Sequence, residues 1–120
     1  MRVLLEESAQ RAIAYLEGLE DRSVAPSPEA VAKLVALDEP LPDDLTTAEA
    51  VLKQLDEIGS PATMAMAGSR FFGFIIGGAL PVTLAANWLA GAWDQNSAFY
   101  NVTPATAQME KVALGWLLDL

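Results

Sequence analysis

The 120-residue chain has no cysteine and no histidine, and it is short of positive charge, with 7 Lys and Arg against 16 Asp and Glu and a formal net charge of −9. Each shortage excludes a class of chemistry. Without thiols there is no disulfide and no thioredoxin-like redox pair; without imidazoles there is no Cys/His zinc site and no Ser-His-Asp or Cys-His nucleophile. The acidic balance argues against nucleic-acid binding, which draws its affinity from clustered Lys and Arg on phosphates. The opening stretch Met1-Arg2-Val3-Leu4-Leu5-Glu6-Glu7 has neither the apolar run nor the small-residue cleavage site of a signal peptide, so a cytoplasmic location is expected. The length allows one small domain with a modest core.

What charge there is sits in one half. Residues 1–60 carry 13 of the 16 acids and 5 of the 7 bases, whereas residues 61–120 carry three acids and two bases. A self-contained domain needs polar surface from both halves, and the second half has little to offer.

The acidic half reads as three helices, each with one apolar face. In residues 3–18, Leu5, Ala9, Ala12, Ile13 and Leu16 form one stripe at helical spacing, with Gly18 as the stop. Ser27-Pro28-Glu29 has the N-cap, first-turn proline and early acid of a helix start, and Val31, Leu34 and Val35 supply its apolar face. Two prolines make Asp38–Asp44 a linker. Thr46 and Glu49 fit a capping box, followed by the stripe Val51, Leu52, Leu55 and Ile58 and a sharp stop at Gly59-Ser60-Pro61. The acidic runs Glu6-Glu7, Glu20-Asp21 and Asp43-Asp44 lack the spaced oxygen ligands of a calcium loop and read as solvated surface.

From Phe71 to Trp93 the chain runs 23 residues without a formal charge, bounded by Arg70 and Asp94. By length this is a candidate for a single membrane-spanning helix over 71–93. Against that stand Gly77, Gly78 and Pro81 in mid-span, polar Thr83 and Asn87 four residues apart, and no flanking cluster of Lys or Arg. The preferred division is a short extended piece over Phe71–Ile76, a glycine turn, and a helix from Pro81 to Trp93 that is apolar nearly all round and so needs cover on most sides. Thr103-Pro104 starts a last helix carrying Met109, Val112, Ala113, Trp116, Leu117 and Leu120. That pattern is cut in mid-stripe, and the expectation is an N-terminal fragment of a longer protein.

No catalytic constellation emerges from the residues themselves. Asp94 is the acid most open to a perturbed environment, but pairing with Arg70 or capping the preceding segment accounts for it. Lys33, Lys53 and Lys111 have no evident desolvated pocket in which to form a Schiff base, and Gly77-Gly78 lacks the companions of a phosphate loop.

The run Ser60-Pro61-Ala62-Thr63-Met64-Ala65-Met66-Ala67-Gly68-Ser69-Arg70-Phe71-Phe72-Gly73-Phe74-Ile75-Ile76-Gly77-Gly78-Ala79-Leu80-Pro81 resembles the N-terminal region of the pyridoxal-phosphate-dependent group II decarboxylases, the glutamate and aromatic-amino-acid decarboxylases among them. The resemblance continues through Leu84-Ala85-Ala86-Asn87-Trp88-Leu89-Ala90-Gly91-Ala92-Trp93-Asp94-Gln95-Asn96, then Thr103-Pro104-Ala105, Met109-Glu110 and Trp116-Leu117. It covers most of residues 45–120. One departure is Ser69-Arg70-Phe71, where the family commonly has a proline before the aromatic pair and often a histidine upstream.

The resemblance implies a mainly α segment of a fold-type-I enzyme. Residues 1–60 would be an N-terminal helical arm, and residues 61–120 would lead into a truncated large domain whose complete fold is α/β, aspartate-aminotransferase-like. It also implies a homodimer in which N-terminal helices wrap the partner subunit, an amino-acid substrate, and pyridoxal 5'-phosphate held by chain beyond residue 120. The family's lysine, ring-stacking histidine and ring-nitrogen aspartate map to nothing here, so no catalytic or cofactor-binding residue is assigned. By the family's pattern Phe72, Phe74, Ile75, Ile76 and Gly77 would line the substrate pocket, and Asn96, Ala98 and Tyr100 would approach the neighbouring subunit's site. Two other readings stand beside this one, a stand-alone helical interaction module and a single-pass membrane protein.

Overall fold

The computed structural model describes every residue except Gly77. The described residues are mainly helical and contain no strand, and they fall into two compact units, Met1–Gly78 and Ala79–Leu120. The division expected at residue 60 lies inside the first unit, because residues 60–70 are bonded back to the end of the first helix.

In the first unit α1 spans Arg2–Glu17, α2 spans Pro28–Ala32 and α3 spans Ala48–Gln54. Gly18 ends α1 as the spacing predicts, though at φ −77° rather than in the left-handed form, and a 3-10 turn over Gly18–Glu20 follows. Ser27 caps α2 as expected, its hydroxyl accepting from the Ala30 N–H at 3.2 Å with Pro28 in the first turn. The linker over 38–44 is irregular. At α3 the cap is Thr47, not Thr46: the Thr47 hydroxyl accepts from the Ala50 N–H at 3.2 Å. This one-residue shift puts Ala50, which has no acceptor to return the bond, where the capping box needed Glu49.

Nor does the backbone break at Gly59-Ser60-Pro61. It passes through a π turn over Leu55–Gly59 and a 3-10 turn over Ser60–Ala62, and leaves helical geometry at Thr63. Pro61 has no N–H to give, and at the start of a short 3-10 turn none is required of it.

The face of α1 that packs takes in part of the apolar stripe and the polar flank beside it. Ala9, Ala12 and Leu16 of the stripe are half-buried, as are Leu4, Ser8, Arg11 and Tyr15, whereas Leu5 and Ile13 are exposed. The inward face is therefore turned from the stripe toward Arg11 and Tyr15. Polar contacts decide this. Arg11 bonds Glu7 one turn back and reaches Asp56 beyond α3, both at 2.6 Å, and the Ser60 hydroxyl donates to Asp56 at 3.0 Å. The two carboxylates hold the Arg11 guanidinium above its ordinary value. The Thr63 hydroxyl gives its proton to the Ser60 carbonyl, so the Tyr15 hydroxyl is the donor in its 2.8 Å contact with Thr63.

Two further arginines close the unit reciprocally. Arg22, after α1, donates to the carbonyls of Ser60, Pro61 and Thr63 and lies 5.6 Å over the Tyr15 ring. Arg70 donates from one nitrogen to the carbonyls of Leu19, Glu20 and Arg22. Ser69 adds a bond to the Glu20 carboxylate, and the Ala65 N–H bonds the Val24 carbonyl at 2.9 Å. Inside this clasp lie Leu19 and Ala65, 5 % and 2 % exposed, the buried apolar residues of the unit. Gly68 packs closely beside them: a Cβ there would stand 3.3 Å from the Ala65 oxygen, a tight approach, and 3.7 Å from Leu19 Cβ, an ordinary contact.

The second unit holds α4, Pro81–Trp93, and α5, Pro104–Leu118, both starting at the expected prolines. Asp94 ends α4 in the left-handed region (φ 48°), with its N–H on the Ala90 carbonyl, so of the two roles expected for it the capping one is found. Arg70 spends its bonds on the clasp. Thr103 precedes α5 without capping it: its hydroxyl donates to the Phe99 carbonyl at 3.2 Å and it is 6 % exposed.

Replacing Arg70 by Ala leaves three carbonyls without this donor and should lower the unfolding free energy of the first unit by about 1–3 kcal/mol, read as a lower urea midpoint; an unchanged midpoint contradicts the clasp. At α2, the backbone N–H of Glu29 and the Ser27 hydroxyl hold the Glu29 carboxylate below its reference value of 4.5. A lowered native value stabilises fully above the unfolded value and is lost as pH falls through the native one. Glu29→Gln should therefore reduce the loss of helical circular dichroism on acidification below about pH 4.5, and an identical acid limb in the variant would contradict this.

Candidate functional site

The residues singled out by sequence occupy two segments, one in each unit. In the first unit the clasp fixes residues 60–70 and the chain runs outward from Arg70. Phe71–Ile76, expected to be extended, instead reverses direction. Ile76 donates its N–H to the Gly73 carbonyl at 3.1 Å, and the two central residues, Phe74 and Ile75, have φ of 58° and 55°. Positive φ at both central positions is the pattern of a primed turn, usually built from Asn and Gly. The reversal follows from the next anchor along, since the Gly78 N–H bonds the Met66 carbonyl at 3.1 Å and returns the chain to where it left.

Phe72, Phe74, Ile75 and Ile76 lie in or next to this turn and form an exposed apolar tip. Phe72 and Phe74 are 93 % and 81 % exposed, and Ile75 is fully so. Gly77, the fifth residue of the set, lies outside the described residues. Phe71 is turned back, half-buried, with its ring 3.1 Å from where a Cβ on Gly73 would stand.

In the second unit Asn96, Ala98 and Tyr100 lie in the loop between α4 and α5. Asn96 organises it. Its side-chain oxygen accepts from the Ala98 N–H at 3.2 Å, and its carbonyl accepts from the Thr106 hydroxyl at 2.6 Å, which ties the loop to the first turn of α5. The Thr103 N–H bonds the Phe99 carbonyl at 2.8 Å. Tyr100 and Ala98 face outward and are exposed. The loop is thus held by bonds at Asn96, Thr103 and Thr106, while the Ala98 and Tyr100 side chains point to solvent.

Neither segment contains a nucleophile with a base. Among the described residues no three His, Cys, Asp or Glu gather as a metal site. The three lysines are exposed; Lys33 stands on the rim of an open apolar hollow with Val35, Ala36 and Ile58, with no enclosed space for a bound carbonyl. Glu20 is bonded to Ser69 and Glu7 to Arg11, which leaves those acids as clasp components.

Sequence reasoning missed the clasp residues Tyr15, Arg22 and Arg70 as a set. Their only advance sign was position: arginines placed just past a helix stop and at the border of the apolar run, where open carbonyls need donors. The long apolar run is divided between the turn and α4. At about 1.5 Å per residue, the 13 residues of α4 reach about 20 Å, short of the roughly 30 Å of hydrocarbon. Among the described residues no helix is long and apolar enough to cross a membrane.

Comparison with protein-family models, curated proteins and solved structures returned no match for this chain.

If the tip is as exposed as its geometry requires, Phe72→Ser should leave the urea midpoint within about 0.5 kcal/mol of wild type while lowering binding of the apolar dye ANS. A large stability loss would mean that Phe72 is packed.

Proposed function

We propose that this chain is the N-terminal segment of a cytoplasmic pyridoxal-phosphate-dependent group II amino-acid decarboxylase, where it serves dimerisation and lines the substrate pocket. Support comes from the residue resemblance over most of residues 45–120 and, independently, from one physical observation, uncovered apolar surface. The chain exposes 9829 Å², whereas two compact bodies the size of its two units would together expose about 7,500 Å². The excess, about 2,300 Å², is in the range that one protomer of an obligate assembly buries. It is also apolar: in α4, Val82, Trp88, Leu89 and Trp93 are exposed, as are Met109, Leu114, Trp116 and Leu117 in α5. Large apolar side chains left exposed in this number are what association surfaces present.

Pyridoxal phosphate would supply the electron sink for loss of CO2. This chain's residues do not fit a site for it. There is no histidine to stack on the ring, and each lysine is solvent-exposed on a helix surface. In this reading the chain's own part is to cover and to shape: α4 and α5 bury against other chain, and the tip at Phe72–Ile76 supplies apolar wall to a pocket closed by other elements.

The same surface suits a stand-alone interaction module, and the gene separates the two. The decarboxylase reading expects the frame to continue past Leu120 into a Leu-Gly-Leu-Pro-like run and later a His-Lys pair; a native stop codon there overturns it. The purified 120-residue chain should release no CO2 from any amino acid and should self-associate in light scattering. Leu89→Glu should weaken that association at least tenfold, roughly 1.4 kcal/mol, with little change in helix content. A monomer that melts sharply contradicts both readings.

A further inference from the structure

The tip of the first unit holds a conformation that its own residues disfavour. Gly73–Ile76 closes on one hydrogen bond, from the Ile76 N–H to the Gly73 carbonyl at 3.1 Å, with Phe74 at φ 58° and Ile75 at φ 55°. For bulky side chains the left-handed region is crowded, and for a β-branched isoleucine it is an outlier. Such strain persists where surrounding contacts over-determine it. None does so here: Phe74 is 81 % exposed and Ile75 fully exposed. What holds the turn is a pair of anchors on either side, Arg70 in the clasp and the Gly78 N–H on the Met66 carbonyl.

We propose that Gly73–Ile76 is a two-state strap, a left-handed turn while both anchors hold and extended backbone when the strap opens. The inference stands on this geometry and not on the decarboxylase reading. Opening releases the Gly78 anchor and leaves the clasp in place, so it relieves two strained residues at the loss of two hydrogen bonds, Ile76 to Gly73 and Gly78 to Met66. It also redistributes the side chains. In extended backbone alternate residues share a face, so Phe72, Phe74 and Ile76 would form one apolar row in place of the present tip. The strap thereby changes the shape of the exposed apolar surface without moving the clasp.

Two substitutions at one position bracket the states. Glycine accepts positive φ without strain, so Ile75→Gly favours the turn. Proline is confined to φ near −65° and pushes the residue before it to extended backbone, so Ile75→Pro forbids the turn. The readout is the water-exchange rate of the Ile76 amide by NMR in the 120-residue chain, with the Ala65 amide, bonded to Val24, as the marker of an intact clasp. A wild-type rate between the two variants is expected, with Ile75→Gly slower than wild type by about tenfold and Ile75→Pro faster, while Ala65 is unchanged. Equal rates in wild type and Ile75→Gly overturn the proposal, because the segment then holds a single state. Should Ile75→Pro also expose Ala65, the comparison of wild type with Ile75→Gly decides alone.

Discussion

The first unit depends on guanidinium groups bonded to backbone carbonyls. Arg22 takes three carbonyls of the 60–63 segment, and Arg70 takes those of Leu19, Glu20 and Arg22, just past α1, so each segment supplies the donor for the other. A 3-10 turn leaves its last carbonyls without donors of its own, and for Leu19 and Glu20 a charged donor from a distant loop fills that need. Apolar burial normally dominates folding, yet Leu19 and Ala65 are the buried apolar residues of this unit. The clasp therefore sets which parts of the chain meet, and the small apolar contacts fit inside it. Arginine suits the task because its guanidinium is always charged, is weakly hydrated and offers donors in fixed directions.

The second unit shows the opposite balance. Its helices are built from local signals, proline at the first turn and a left-handed aspartate at the end of α4, and its loop is stitched by Asn96, Thr103 and Thr106. Among its described residues Leu84, Ser97, Thr103, Thr106 and Ala107 are less than exposed. Secondary structure is thus complete while apolar surface is uncovered. Nearest-neighbour bonding suffices for the helices, and only another surface can satisfy their tryptophans and leucines.

Local features were the legible ones. Ser27-Pro28, Pro81 and Pro104 mark real helix starts, because a cap or a first-turn proline acts over three or four residues and needs no knowledge of the rest of the fold. Where two neighbouring residues could do the same job the choice escaped: Thr46 and Thr47 are both capable caps, and the backbone at Thr47 takes the role. The inward face of α1 was legible in part. Ala9, Ala12 and Leu16 of the stripe are half-buried, but Leu5 and Ile13 are exposed, because Arg11 and Tyr15 beside them found partners in Asp56 and Thr63 from 45 or more residues away. No window of sequence contains both ends of such a pair.

For the candidate site, the sequence marked 72–76 and 96–100 as places of concentrated apolar and aromatic character but gave the first of them the wrong backbone. Phe and Ile favour extended geometry, and that preference is what the extended reading expressed. By itself the sequence determined the helix starts, the irregular linker and the segregation of charge from apolar surface, since these follow from composition and from spacings of a few residues. Only the tertiary structure decided that α1 turns Arg11 and Tyr15 inward, that residues 60–70 belong with the first helix, and that Phe74 and Ile75 turn. Each of these is fixed by a bond between distant segments, whose partners are paired by folding rather than by proximity in the chain.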